Sequence, residues 1–198
     1  IAETEKYAHV TYFLYGGLEE SFKGEDRELV PSPSVATYDL APEMSAAGVT
    51  DTLIAAIQKG KHEFYAVNYA NPDMVAHTGN YDASVRAVQV VDEQLGRLCD
   101  AMLAVGGKVL ITADHGNAEG LINYVTGDID KEHSAEPVPL MLIDDERKRE
   151  KSEEEHMMAQ QNISPVGLLA DVAPTVLELA GLKQPKEMTG KSLLQFLV

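Results

Sequence analysis

The sequence holds a single cysteine, Cys99, and no tryptophan. One thiol excludes an internal disulfide and makes a reducing, cytoplasmic compartment the expectation. No apolar run approaches the roughly 18 to 20 residues that cross a bilayer, and no secretory signal opens the chain, so no membrane partner is expected. Basic residues are scarce, 16 Lys and Arg against 32 Asp and Glu, which leaves a net charge of −16. That balance argues against a nucleic-acid partner. It also means that an anionic substrate would need metal ions or further basic segments to reverse the local field. The first residue is not Met, and Ile1 reads as the start of a fragment, because the strand expected over Lys6–Tyr15 has nothing upstream to pair with.

What is present is ordinary for a soluble globular domain: 198 residues, 44% hydrophobic and 24% charged. His9–Tyr15, rich in β-branched and aromatic residues before Gly16-Gly17, predicts a strand and turn. Thr50–Lys59 predicts a helix stopped by Gly60, and Glu63–Tyr69 a second strand. Residues 71–80 predict a loop with a short helical turn. A long helix follows over about Tyr81–Val105, with Val85, Val88, Val91, Leu95, Leu98 and Met102 as its apolar stripe. Lys108–Thr112 and Pro139–Ile143 predict two more strands, and Leu168–Leu179 another amphipathic helix. Strands alternating with helices imply an α/β fold, a doubly wound and mostly parallel sheet flanked by helices. Between them, about residues 144–165 form a charged insertion without apolar periodicity, read as a solvated helix or mobile segment.

Three clusters carry chemistry, each just past the end of an expected strand, where α/β sheets place their sites. Asp73 and His77, in Asn71-Pro72-Asp73-Met74-Val75-Ala76-His77, are four apart, so one helical turn puts both on the same face. A carboxylate and an imidazole at that spacing chelate one divalent ion, although Asp73 also reads as a helix cap and His77 as a surface residue. Asp114 and His115 follow the apolar KVLIT. Two ionisable groups at a strand exit need a partner or an ion, the plainer alternative being an Asp-His-Gly turn. Asn117 reads as a cap of the turn that follows. His133, before the last strand, gains meaning only beside the other two clusters. Together these are two carboxylates and three histidines, a donor set that suits Mn²⁺ or Zn²⁺ better than Mg²⁺ or Ca²⁺. Five side chains exceed one four-coordinate site and fall short of two.

PDMVAHTG, TADHGNAE and HSAEPVP, in this order, resemble the metal motifs of the cofactor-independent phosphoglycerate mutases, within the alkaline phosphatase superfamily. EKYAHVTYF, PSPSVATYDLAPEMSAAGVTD, GLLADVAPTVLELAGL and MTGKSLL resemble further stretches of these mutases, and the similarity spares only about residues 144–165. TADHG alone is shared with phosphopentomutases, phosphatases and sulfatases; the other segments favour the mutase. The resemblance implies an alkaline-phosphatase-like core, here incomplete: residues 1–198 as the C-terminal part of the phosphatase-like domain. The segment carrying the serine nucleophile and a further aspartate ligand, and the inserted transferase domain, would then belong to a missing N-terminal half.

It further implies that Asp73, His77 and His133 hold one metal ion, that Asp114 and His115 ligate a second, and that Lys6 contacts the substrate phosphate. The implied reaction interconverts 3-phosphoglycerate and 2-phosphoglycerate through a phosphoserine. Two divalent ions would serve it, Mn²⁺ first and Zn²⁺ or Co²⁺ as alternatives, without 2,3-bisphosphoglycerate. These 198 residues alone are expected to be inactive. An imidazole binds a cation only when neutral, so activity is expected to fall as pH drops through about 6.5.

Overall fold

The computed structural model describes all residues except 124, 131, 148, 150–151, 156, 158–163 and 198. The chain divides into two compact units, Ile1–Val105 with Asn117–Ser134, and Gly106–Gly116 with Ala135–Val198.

In the first unit, strand β1 (Ala2–Glu3) runs parallel to β2 (Leu29–Val30), with Ala2 opposite Leu29 and Glu3 opposite Val30. On its other side Ala2 makes a parallel bridge to Asn68, so β1 is the centre of a three-segment parallel arrangement and is fully buried. The expected strand over Glu63–Tyr69 contributes only that bridge. His9–Tyr15 departs from expectation more sharply. The chain turns into a 3₁₀ helix over Thr4–Val10 and continues as turns, leaving Tyr12, Phe13 and Leu14 exposed. Strand preference expresses cross-strand packing more than an intrinsic backbone bias, and the described residues offer this segment no ladder.

Helix α1 (Ala46–Lys59) ends as expected on left-handed Gly60 and buries Val49, Leu53 and Ile57. Leu53, Ile57 and Leu98 form one core cluster, flanked by Tyr65, Val67 and Met102. Helix α2 (Asn71–Ala76) is a six-residue element opened by Pro72 at its first turn, where the missing N–H costs nothing. Helix α3 (Tyr81–Leu103) starts on Asn80, whose side chain accepts from the Ala83 N–H. Its buried face is Ala83, Ala87, Val90, Gln94 and Leu98, while Val85 and Val88 are exposed. The valine stripe read from the sequence is therefore shifted. Val75, Ala83 and Ala87 share a second cluster, and small side chains let α2 and α3 approach closely there. Arg86 and Arg97 pair with acids, Arg86 with Glu43 and Glu93 and Arg97 with Asp51. His62 sets Nε2 2.8 Å from Asp26 Oδ2 at the surface.

In the second unit β3 (Val109–Thr112) pairs antiparallel with β4 (Leu140–Ile143), from Val109 opposite Ile143 to Thr112 opposite Leu140. Helix α4 (Val172–Leu179) follows a 3₁₀ turn over Leu169–Asp171. Asp171 receives the backbone N–H of Leu168 at 2.8 Å and of Lys191 at 2.7 Å, and these donors hold its carboxyl below the usual range. A Cβ on Gly190 would stand 2.1 Å from the Ala170 carbonyl oxygen, so this close approach requires glycine. Asp144, which opens the expected charged insertion, is buried beside Arg147 and Lys108. Arg149 grips Glu155 with both Nη atoms, at 3.1 and 2.7 Å. Positions 148, 150–151, 156 and 158–163 of that insertion, His156 among them, lie outside the described residues.

Glu3 is the least expected member of the core, a carboxylate with no accessible surface. It accepts from Ser32 Oγ at 2.9 Å and, more weakly, from the Ser45 N–H at 3.4 Å. Burial raises its pKa, and the two serines only partly offset this. A folded pKa above the unfolded one means that stability falls as pH rises through that interval. Glu3→Gln keeps the shape and removes the charge, with Oε1 still able to accept from the Ser45 N–H and Nε2 donating to Ser32 Oγ in the reversed sense. We expect it to raise Tm by a few degrees at pH 7 and by nothing at pH 4, read by thermal denaturation at the two pH values.

Candidate metal centre

The site grows from α2. Residues Asn71–Ala76 are too few to hold a helix unaided, and the side chain of Asn71 fastens them. Its Nδ2, fully buried, donates to the carbonyls of Pro42 at 2.8 Å and Glu43 at 2.7 Å. Asp73 and His77 then lie one turn apart on the same face, with His77 Nε2 3.2 Å from Asp73 Oδ1. After His77 the chain reverses at Gly79 with φ +72°, a conformation that suits glycine. A Cβ there would also stand 2.5 Å from the Ile129 side chain. Gly79 thus admits Ile129, part of a small hairpin described at residues 121–123 and 125–130 and closed by an antiparallel bridge between Ile122 and Ile129. His133 follows that hairpin. Its Nε2 lies 3.3 Å from both His77 Nε2 and Asp73 Oδ1.

One donor atom each from Asp73, His77 and His133 therefore falls within 4.8 Å of the others, the only such trio of metal-ligating side chains among the described residues. One carboxylate oxygen and two imidazole nitrogens form a donor set that fits a divalent transition ion. Sixty positions separate the first from the last.

The electrostatics agree. Lys6, buried at the start of the 3₁₀ segment, donates Nζ to Asp73 Oδ2. Burial of Asp73 opposes ionisation, but hydrogen bonds from Lys6 and from the Asn117 amide, with the charges of Lys6 and His77, outweigh it and hold the carboxyl at about 2. The carboxylate is thus ionised at neutral pH by a wide margin. Because this value lies below that of an unfolded Asp, the stabilisation is complete above about pH 4 and is lost as pH falls through about 2.

Asn117 is a residue the sequence reading placed otherwise. Its side chain does not cap the following turn. It is 5% exposed and donates Nδ2 to Asp73 Oδ1 at 2.6 Å, with the Asp73 carbonyl and His77 Nε2 each 3.4 Å away. The turn is closed instead by the backbone, Gly120 N–H to the Asn117 carbonyl at 3.1 Å. The signal available in the sequence was the position of Asn117 two residues after the Asp-His pair.

Asp114 and His115 belong to the second unit, directly after β3, with His115 Nε2 3.6 Å from Asp114 Oδ1. Asp114 is exposed and His115 half-buried.

A family model described as the metalloenzyme superfamily matches residues 1–184. The chain belongs to the metalloenzyme superfamily. Among relatives of this superfamily chain, a 2,3-bisphosphoglycerate-independent phosphoglycerate mutase of Nostoc sp. is 54% identical over 194 residues, covering 98% of this chain and 36% of that protein. One of the same name from a Synechococcus sp. is 55% identical over 195 residues, again 98% and 36%. A crystal structure of Leishmania mexicana phosphoglycerate mutase at low cobalt concentration superposes with a TM-score of 0.79 at 30% identity, covering 96% of this chain and 36% of that one. The α/β, alkaline-phosphatase-like metalloenzyme fold is thereby shown for this chain. The chain spans about a third of the length of the relatives it matches. Among the described residues, no helix is long and apolar enough to cross a membrane.

Proposed function

We propose that this chain is the metal-binding C-terminal part of the phosphatase-like domain of a cofactor-independent phosphoglycerate mutase. The whole protein would interconvert 3-phosphoglycerate and 2-phosphoglycerate through a phosphoserine, in the cytoplasm. The observation that carries the reading is the convergence of Asp73, His77 and His133, supported by relatives of that name at 54 and 55% identity.

In this reading Asp73, His77 and His133 hold one divalent ion, and Asp114 and His115 contribute to a second. The ions are Mn²⁺ first, with Zn²⁺ or Co²⁺ as alternatives, and 2,3-bisphosphoglycerate is not required. When bound, such ions spread the charge of a transferring phosphoryl group and stabilise the attacking and leaving oxygens. Asp73 supplies a carboxylate that is already ionised, because Lys6 and Asn117 hold it so. Lys6 neutralises Asp73 Oδ2 in this structure, and its ammonium would contact an oxygen of the substrate phosphate. The serine and the grip on the glycerate would come from the remaining two thirds of the protein.

The test is turnover of 3-phosphoglycerate by the intact protein, coupled to enolase, against a generic phosphate ester such as p-nitrophenyl phosphate. Preference for the ester would replace the mutase reading with a phosphatase. The 198 residues alone are expected to show no mutase turnover, and measurable conversion by them would show that the nucleophile lies within this chain.

A further inference from the structure

We infer that Asn117 is the positioning residue of the metal centre, holding the Asp73 carboxylate in the orientation that presents Oδ1 to a cation; this rests on the metal reading of the Asp73, His77 and His133 trio.

Asp73 has two oxygens with different neighbours. Oδ2 takes the Lys6 ammonium, whereas Oδ1 is the oxygen that faces the imidazoles, 3.2 Å from His77 Nε2 and 3.3 Å from His133 Nε2. The two oxygens turn together as one planar group, and Lys6 restrains that rotation only within the freedom of its own four-carbon stem. The amide of Asn117 removes that freedom. Its Nδ2 lies 2.6 Å from Oδ1 and 3.4 Å from the Asp73 carbonyl, so one donor group spans the side chain and backbone of the same residue. A carboxylate oxygen has two lone-pair directions, and it keeps this hydrogen while offering the other pair to a cation. Metal ligands held by such a partner retain their geometry before the ion arrives, and loss of the partner costs affinity rather than the ligand itself.

The burial of Asn117 shows a built contact and not a chance one. The residue is 5% exposed, and its Oδ1 is buried without a hydrogen-bond partner among the described residues. An unsatisfied amide oxygen carries a desolvation cost. That cost is tolerated where the donor half is in use. The opposite amide orientation would set Oδ1 against the Asp73 carboxylate, oxygen facing oxygen. The backbone also serves the arrangement, since the Asn117 N–H donates to Glu119 Oε2 at 2.9 Å and the turn to Gly120 closes behind it.

Two variants of the intact protein test this, Asn117→Ala and the near-isosteric Asn117→Leu, which fills the same space without a donor. Co²⁺ affinity is measured by calorimetry and by the visible d–d absorption of the bound ion. Each folded variant is expected to bind Co²⁺ about tenfold or more weakly, with a changed d–d spectrum. Thr50→Val serves as the control: it breaks a buried hydroxyl contact to Tyr69, 2.8 Å in length and shared with none of the trio, and should lower Tm without moving Co²⁺ affinity. Wild-type affinity and spectrum in either folded Asn117 variant overturn the inference and leave the metal reading standing. Failure of the unsubstituted protein to take up Co²⁺ at the trio removes the metal reading and this inference with it.

Discussion

Replacing Asp73 with Asn is expected to lower mutase turnover of the intact protein by about a thousandfold or more, the scale on which loss of a group stabilising transferring charge is felt. The substitution keeps the shape of the side chain, so α2 and its hold through Asn71 survive. What disappears is the negative charge that three neighbours converge upon. Lys6 Nζ and the two imidazoles of His77 and His133 all face this carboxylate. With an amide in its place, the buried Lys6 ammonium loses its counter-ion, a change that costs about 3 kcal/mol or more where a buried pair is broken. Metal affinity and thermal stability should therefore fall together. A Lys6→Met, Asp73→Asn double variant separates them: it should recover much of the stability and none of the activity. Turnover within tenfold of wild type in Asp73→Asn alone would remove Asp73 from the metal centre.

The second large effect concerns the frame that carries the centre. Leu53 is 1% exposed and packs with Ile57 and Leu98, joining α1 to α3. Truncation to Ala deletes buried methyl groups from a cluster that has little room to collapse, since Tyr65 and Met102 are held on its flank. A loss of about 3 kcal/mol is expected, measured by urea denaturation with an unchanged m-value. The trio lies on α2 and the segment after residue 117, so metal affinity at temperatures where the variant is folded should change little. A loss below about 1 kcal/mol would mean that this cluster is not the core of the unit.

Much of the candidate centre was legible because its signals are local. An Asp and a His four apart specify a shared helical face whatever surrounds them, and the structure places both on one turn. His133 was legible only by resemblance. Its approach to His77 depends on Gly79 and on the bridge between Ile122 and Ile129, and neither spacing nor periodicity reports a contact across 56 positions. Asn117 shows the converse failure. Asparagine in a turn has an obvious local use, and that use hid the distant one.

Helix α3 was legible in extent and misread in orientation, whereas α1 was legible at its C-terminal end and begins four residues before the expected start. Valines at helical spacing mark an apolar face, but the face that is buried is decided by what lies opposite, and here Ala83 and Ala87 admit α2 where Val85 would not. The segment over residues 9–15 failed for a related reason. Its composition suits a pleated surface, whereas the ladder that would make it a strand is a property of other parts of a chain. Asp144 was counted as solvated charge because its neighbours are Asp145 and Glu146, yet it is buried with Arg147 and Lys108.

The clasp of Asn71 on the carbonyls of Pro42 and Glu43 has an implication for how this centre drifts over evolutionary time. Asp73 and His77 ride on one short rotor whose hinge is bolted to a loop 28 to 29 residues upstream. Insertions or proline changes at positions 41–45 would shift Asp73 and His77 as a rigid couple, preserving the bite between them while detuning their alignment with Lys6 and Asn117. Natural variation in that loop should accordingly alter ion preference and turnover before it abolishes ion capture.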